Sequence, residues 1–299
     1  MHRRRLYEIV GLGALAVVTG ALVVSVVMAR PTPVTAIPAP PAELPTGNPS
    51  TIWAPATPTA TASPTSTPKV APSSVAVPPQ SAAPKLPKNG LNALAALLKS
   101  NEPASILVLG DGSGDGMDEW VAVWARDYLA KQRTVTYSAW DDQAGDYGAS
   151  VTFGSGTRTV AVWNASRANP DLAAEAARAN QAWRGANVVI YSYGHGVTSS
   201  ALTKNLPAIQ TAVRAKNGSV REIAMIQNPE RVATEVRQRA TTQTVQDWAD
   251  RAAIASLDVY NAFIGNRAAR VQLVKADGYP TSQGSTLWAK TLSDALAAR

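Results

Sequence analysis

The side chains of this 299-residue chain that could do chemistry are concentrated in one glycine-rich loop. The loop, Gly110–Gly116, follows a short apolar run at 105–109 and carries Asp111, Ser113 and Asp115 between alternating glycines. Three chemistries fit such a loop: a phosphate cradle, a calcium-binding loop, or a turn that presents a serine nucleophile. In the third case the N-terminus of the next helix supplies N–H groups that stabilise an oxyanion.

Spacing weakens the first two interpretations. The glycines recur at every second position, which differs from the Gly-x-Gly-x-x-Gly pattern of dinucleotide-binding loops. Asp111, Ser113, Asp115 and Gly116 match the start of a calcium loop. However, the twelfth position of that loop is Ala122, where a bidentate glutamate is required. The nucleophile turn is therefore the interpretation to test.

Counts of cysteine and histidine narrow the chemistry further. The chain has no cysteine, which excludes a disulfide framework, a thiolate zinc site, an iron–sulfur cluster and a cysteine nucleophile. Its two histidines, His2 and His195, are too few for a multi-histidine metal site. We therefore expect no metal and no cofactor, and His195 is the one imidazole available near the loop.

Four segments resemble, in order, the conserved blocks of the SGNH/GDSL hydrolases. They are Ile106–Asp115 followed by 118–121, Val162–Ser166, Val189–Gly196, and Asp277–Gly284. The resemblance covers residues 91–299 and implies a serine ester hydrolase fold. It also assigns oxyanion or cleft positions to Gly112, Asn164, Ala165 and Gly196.

The positions that give that family its chemistry are altered here. Gly112 stands at the nucleophile position, and Gly196 replaces an asparagine that donates to the oxyanion. The general-base histidine is absent between Tyr279 and Pro280, although its partner Asp277 remains. Without a base, a serine hydroxyl is a poor nucleophile.

A rearranged site remains open. Ser113 would be the nucleophile, His195 the base, and Asp277 or Asp111 the orienting carboxylate. Such a site requires the three groups to lie within hydrogen-bond reach of one another. The alternative is that His195 has only a structural role, as a remnant of the family's third block that is hydrogen-bonded within its loop.

Strand-like and helical segments alternate after residue 91, which predicts βαβ units. The β-type runs are 105–109, 133–138, 158–163, 187–191, 222–226 and 256–260, and the helical stretches are 118–131, 170–183, 200–215, 232–254 and 283–298. We predict a three-layer α/β/α domain with a parallel, flavodoxin-like five-stranded sheet. Ligands of such folds bind at the carboxyl ends of the strands, here the loops after Leu109, Trp163, Tyr191 and Ile226.

The N-terminal segment has the pattern of a membrane anchor. Residues 9–29 are uncharged and apolar, which is enough for a helix to cross about 30 Å of hydrocarbon. The arginines at 3–5 predict a cytoplasmic N-terminus, with everything after residue 30 outside. We assign residues 1–30 to a cytoplasmic tip and single-pass transmembrane signal anchor. A cleaved signal peptide is the alternative.

Residues 31–90 are rich in proline, threonine, alanine and serine, and this composition predicts a disordered stalk. They hold 16 of the 21 prolines, and such a composition cannot bury enough apolar surface to offset ordering entropy. The chain's formal net charge is +7, but residues 1–90 carry seven basic and two acidic side chains. The remaining 209 residues are therefore nearly neutral, and we expect no nucleic-acid partner.

Two functions are compatible with these residues. The better supported is a membrane-anchored extracytoplasmic SGNH-like protein that is catalytically impaired and acts as a cell-envelope binding or scaffold module. Its ligand would be a cell-wall carbohydrate or an acyl ester. The alternative is an active esterase or O-acyl hydrolase on envelope polysaccharide or lipid esters that uses the rearranged site.

Overall fold

The computed structural model describes residues 88–231, 234–266 and 270–299. The predicted anchor and all but the last three residues of the predicted stalk lie outside these ranges. Within them, no helix is long and apolar enough to cross a membrane. The first helix begins at Gly90, where the proline-rich composition ends.

Six parallel strands form the centre of the fold, and the strands in the middle of the sheet are buried on both faces. In spatial order they are β2 (Thr134–Asp141), β5 (Thr159–Ser166), β1 (Ala104–Gly110), β6 (Val188–Ser192), β7 (Arg221–Ile226) and β8 (Ala255–Asp258). Two short strands, β3 (Asp146–Tyr147) and β4 (Val151–Phe153), pair antiparallel with β2 at one edge. The central β6 is buried at every position.

The predicted three-layer α/β/α class is confirmed, but the prediction of five strands is wrong. All six β-type runs are strands, and the edge hairpin adds two more. The last run is shorter than predicted, because the chain turns into a helix after Asp258. Strands β3 and β4 gave no periodic signal because their residues are mostly exposed. Without β2, the parallel strands follow the flavodoxin-like order 2-1-3-4-5.

Helices cover both faces of the sheet. One layer contains α1 (Gly90–Lys99), α2 (Trp120–Asp127), α6 (Val259–Ile264), α7 (Arg270–Leu273) and α8 (Ser282–Ala297). The other contains α3 (Glu175–Ala182), α4 (Ser199–Lys216) and α5 (Glu235–Arg251). Strand β1 serves both layers: Ile106 and Val108 pack on one side, Leu107 and Leu109 on the other.

Strand register brings several loops to one edge of the sheet. Gly110, the last residue of β1, pairs with Ser166 of β5 on one side and with Ser192 of β6 on the other. The chain first fills the sheet on the β5 side of β1 and later on the β6 side. Strand β1 is therefore a topological switch point, where parallel α/β sheets leave a crevice for ligands.

Candidate functional site

A buried carboxylate, Asp111, joins the loops that follow three neighbouring strands. Its Oδ1 accepts from the backbone N–H of Ser113 at 3.0 Å. Its Oδ2 accepts from the N–H groups of Gly194 and His195 at 2.8 and 2.9 Å, and from the Gln227 side-chain amide at 3.0 Å. Asp111 thus holds the ends of β1, β6 and β7 together, which is a positioning role.

Ser113 lies inside this network and is completely buried. Its Oγ is 3.3 Å from the Nε2 of Gln227, which donates to it. The same amide also reaches Asp111 and the Oγ of Ser192. The predicted nucleophile therefore has an amide partner, and no hydrogen bond in the described ranges joins it to an imidazole.

His195 is buried beside the same loops, and its ring nitrogens face Asn228 and Glu230. Its Nε2 lies 3.0 Å from the Oδ1 of Asn228. Because the Asn228 Nδ2 donates to the carbonyls of Pro229 and Gly278, the Oδ1 must accept, and Nε2 of the imidazole therefore carries a proton. The Nδ1 faces the Oε1 of Glu230 at 3.9 Å.

Glu230 is the charged neighbour of this imidazole. Burial acts to raise the pKa of its carboxyl, but His195, Thr234 and Arg237 outweigh burial and lower the pKa to about 2. Glu230 is thus an anion at neutral pH. Its position depends on Gly278, where a Cβ would lie 2.8 Å from the Glu230 Cγ and where φ is +93°.

The nucleophile position of the resemblance, Gly112, is covered by a tyrosine. A Cβ placed on Gly112 would lie 3.3 Å from the Tyr279 hydroxyl and 3.2 Å from the Cα of Ala168. The same hydroxyl would be 3.5 Å from a Cβ on Gly196. The ring of Tyr279 packs edge-on against His195, with centroids 5.5 Å apart. A side chain at residue 112 would therefore crowd this phenol.

The phenol is held in its neutral form. Burial is the main reason that the pKa of Tyr279 rises to about 12, and the nearby carboxylates of Asp111, Asp115, Asp277 and Glu119 add to it. Tyr279 therefore offers an O–H donor and not a phenolate base at physiological pH.

Asp277, the third predicted catalytic residue, is exposed on the loop that carries the tyrosine. Its Oδ1 accepts from the backbone N–H of Tyr279 at 3.1 Å. Among the described residues, no hydrogen bond links Ser113, His195 and Asp277 to one another. The structure places the three around one strand-end region and gives each a different partner. Their catalytic role stays a prediction.

The predicted oxyanion and cleft residues divide between the interior and the surface. Asn164 is buried behind the loop, where its Nδ2 donates to the carbonyl of Gly114 at 2.6 Å and to the Tyr137 hydroxyl at 2.8 Å. Ala165 is buried at the end of β5. Gly196 is exposed and has a φ of +70°, which an L side chain rarely adopts.

A carboxyl with an unusual pKa lies at the other end of the glycine-rich loop. Burial is the main reason that the pKa of Glu119 rises to about 7. The N–H of Gly116, which donates to its Oε2 at 2.9 Å, opposes this rise, Asp115 adds to it, and Lys275 opposes it. The Lys275 Nζ is 3.8 Å from Oε1. A carboxyl that titrates near neutrality can exchange protons there.

Sequence reasoning missed four residues that shape the site: Tyr279, Gln227, Asn228 and Glu119. The loop after Ile226 had been singled out as a strand end, which is the signal that pointed to Gln227 and Asn228. No local pattern indicated that Tyr279 would lie against Gly112, because that contact joins distant parts of the chain. In the described ranges, the Ser113 hydroxyl is bonded to Gln227 and the His195 Nε2 to Asn228, and no hydrogen bond joins the serine to the imidazole.

Solved structures with this fold include known esterases. A peptidoglycan O-acetylesterase matches with a TM-score of 0.52 and 13% identity over 71% of this chain and 95% of that chain. A two-domain esterase active on acetylated mannans matches with a TM-score of 0.52 and 12% identity over 70% of this chain and 52% of that one. No protein-family model and no curated protein sequence matches the chain. The matches to solved structures show that the chain has an SGNH/GDSL-like fold.

Proposed function

We propose that this SGNH/GDSL-like chain acts in the cell envelope as a binding or scaffold module, and that it lacks the esterase mechanism usual for its fold. One observation carries the proposal. The phenol of Tyr279 lies against Gly112, where the resemblance requires a nucleophile, so that the position is both empty of a hydroxyl and covered.

The partners of the remaining groups support the same conclusion. Acyl transfer by a serine needs a base within hydrogen-bond reach of the hydroxyl. Here the buried Ser113 hydroxyl is bonded to the Gln227 amide, and the His195 Nε2 is bonded to Asn228. Moving either group into a catalytic pair would break a buried hydrogen bond, which costs about 1–3 kcal/mol for each group left unpaired.

The proposal includes the predicted location. Residues 9–29 would anchor the chain as a single span, with the arginines at 3–5 in the cytoplasm and the described domain outside. Residues 31–90 would then separate the domain from the membrane. This arrangement is supported by the apolar length and the charge of the N-terminal segment.

The ligand we propose is a cell-wall carbohydrate or an acyl ester carried by one. Two neighbours in fold are described as a peptidoglycan O-acetylesterase and as an esterase active on acetylated mannans. In this chain the neutral phenol of Tyr279 would donate a hydrogen bond to such a ligand, and hydrolysis would not follow.

A hydrolysis assay tests the central claim. The full chain is assayed with p-nitrophenyl acetate and with a fluorophosphonate probe, beside the matched variant Ser113→Ala. We expect the two proteins to give the same background hydrolysis and no covalent labelling. Hydrolysis or labelling that disappears in Ser113→Ala would overturn the proposal and establish the alternative, an active esterase with a rearranged site.

A sedimentation assay tests the binding claim separately. The full chain is mixed with insoluble peptidoglycan, both O-acetylated and chemically de-acetylated, and the bound fraction is measured. We expect binding that weakens at least several-fold in Tyr279→Phe, because the variant keeps the ring and loses the donor. Equal binding by the unaltered chain and by Tyr279→Phe would show that the Tyr279 hydroxyl does not bind the ligand.

A further inference from the structure

A cavity lies on the opposite side of the fold from the strand-end loops, among the C-terminal ends of three helices. It has a volume of about 260 Å³ and lies between α1, α2 and α8. Its walls are mostly apolar and include Trp124, Leu129 and Leu296, which are buried residues of the core. A cavity that reaches core side chains from the surface can take an apolar ligand.

The rim of this cavity is cationic. Lys99 and Lys131 line it, are exposed, and have no carboxylate within 4 Å among the residues that the structure describes. The Lys131 Nζ lies 5.1 Å above the ring of Tyr128, another wall residue. The one acidic side chain on the rim, Asp294, is already paired with Lys290. The available charge at the opening is therefore positive.

A buried guanidinium adds to this positive charge. Arg133 lines the cavity and is 1% exposed. Its N–H groups donate to backbone carbonyls, among them those of Leu97 at 2.9 Å and Ser100 at 2.5 Å. No carboxylate pairs with it in the described part of the chain. The carbonyls at the end of α1 would repel an anion, but Arg133 satisfies them and leaves its own charge in the wall.

We propose that this cavity binds a single-chain amphiphile with an anionic head group. The chain would lie against Trp124, Leu129 and Leu296, and the head group would face Lys99 and Lys131. A helix of a partner protein is about 10–12 Å across and too wide for this volume. A two-chain lipid likewise exceeds this cavity, because its volume of about 260 Å³ lies just below the range typical of ligand pockets, about 300–1,000 Å³.

The site is independent of the proposed carbohydrate site. It is built from helix C-termini and not from the loops that follow the strands. It also requires no catalysis. Binding there would give the domain a contact with fatty acids or lysolipids of the envelope, whether or not the strand-end site binds a glycan.

Photolabelling of the full chain in phosphatidylcholine nanodiscs tests the proposal. The probes are two diazirine-bearing dodecyl chains, one with a carboxylate head group and one with a quaternary ammonium. Labelled peptides are quantified by mass spectrometry. Residues 9–29, which are apolar in sequence, serve as the internal reference for labelling by chain insertion.

We expect the carboxylate probe to label peptides containing Trp124 or Leu296 at least tenfold more than the ammonium probe does. The double variant Lys99→Glu/Lys131→Glu should reduce that labelling about tenfold. The matched control Lys204→Glu/Lys216→Glu makes the same change of charge at two exposed positions of α4 and should leave the labelling unchanged.

Several outcomes would overturn the proposal. One is the absence of labelling at these peptides. Others are equal labelling by the two probes, labelling that survives Lys99→Glu/Lys131→Glu, and a loss of labelling with rising protein concentration that indicates a second copy in the cavity. Because both lysines are exposed, circular dichroism should show that the double variant keeps its fold.

Discussion

At the scale of single residues, the proposed loss of esterase activity rests on the contact between Gly112 and Tyr279. The family that the sequence resembles places a hydroxyl at residue 112, and here the phenol fills the space in front of it. The missing histidine is readable in the sequence, between Tyr279 and Pro280. The tyrosine's position is not readable there, because it depends on how the loop after α7 folds back onto β1.

This contact predicts a coupling between two substitutions. Gly112→Ala should cost about 1–3 kcal/mol of folding free energy, the usual range for overpacking. The cost should be smaller in a Tyr279→Phe background, because the nearest side-chain atom to the new Cβ is the hydroxyl at 3.3 Å. Urea unfolding of the four proteins in the cycle gives the coupling.

Gly148→Ala is the matched control, since a Cβ there meets its nearest atom at 3.7 Å. Its cost should be small and independent of residue 279. Additive costs for Gly112→Ala and Tyr279→Phe would show that the two residues do not touch as described.

The raised pKa of Glu119 predicts that the stability of the fold depends on pH. The folded pKa, about 7, lies above the ordinary value of 4.5, so the folded state holds a proton that the unfolded state has lost. The stabilisation is complete below about pH 4.5 and is lost as the pH rises through 7. We expect Glu119 to account for a loss on the order of 2–3 kcal/mol between pH 5 and pH 8.

The variant Glu119→Gln should remove that share of the pH dependence, and Asp118→Asn, an exposed neighbour, should retain it. The measurement is the free energy of unfolding in urea at pH 5, 6.5 and 8. The pKa values of Glu230 and Glu235 fall to about 2, so these carboxylates affect stability in a more acidic range and contribute little between pH 5 and pH 8. Parallel curves for Glu119→Gln and the unaltered chain would refute the assignment.

At the scale of elements, one arginine joins the amino ends of three of the parallel strands. Arg133 precedes β2, and its guanidinium donates to carbonyls at the end of α1, to Glu102 before β1, and to Thr159 at the start of β5. One buried side chain therefore joins a helix and three strands. The sequence shows only an arginine as the first residue of the predicted strand 133–138.

Replacing this arginine should be costly. In Arg133→Met the side-chain length is kept, but several buried carbonyls lose their donor, and each costs about 1–3 kcal/mol if it stays unpaired. We expect a total loss of about 3–5 kcal/mol in urea unfolding. Arg158→Met is the matched control, because Arg158 is more exposed and makes two long bonds of 3.3 and 3.5 Å, so its loss should be below about 1 kcal/mol. Equal losses in the two variants would contradict the role given to Arg133.

At the scale of the whole molecule, two helical layers depend on one sheet. Trp120 of α2 stacks on Trp288 of α8 in one layer, with ring centroids 5.3 Å apart. In the other layer Tyr191 of β6 meets Trp248 of α5 at 5.2 Å. Each face of the sheet has its own hydrophobic core, but successive residues of each strand contribute to opposite cores, so both cores depend on the same strands.

The two layers should therefore unfold together. Leu292→Ala in α8 and Leu206→Ala in α4 remove buried side chains from opposite layers, and each should cost about 2–5 kcal/mol. In each variant, far-UV circular dichroism and tryptophan fluorescence should shift by the same amount of urea. A shift in one probe only would show that one layer can unfold without the other.

The sequence by itself determined the elements with a clear apolar pattern and the missing histidine, but it gave no indication of helices α1, α6 and α7. Apolar runs bounded by glycine and polar residues encode strands locally, and the absence of a second imidazole after residue 91 removes the usual general base whatever the fold. The six β-type runs and the α/β/α class follow from such local patterns, although the sheet was predicted to have only five strands.

Only the tertiary structure decided what replaced the missing groups. In the folded domain Tyr279 packs against Gly112. The Ser113 hydroxyl is hydrogen-bonded to Gln227, and His195 is hydrogen-bonded to Asn228. The tertiary structure also added the edge hairpin that the prediction of five strands omitted. These contacts join residues far apart in the chain, where packing and hydrogen-bond satisfaction set the partners and no sequence period records them.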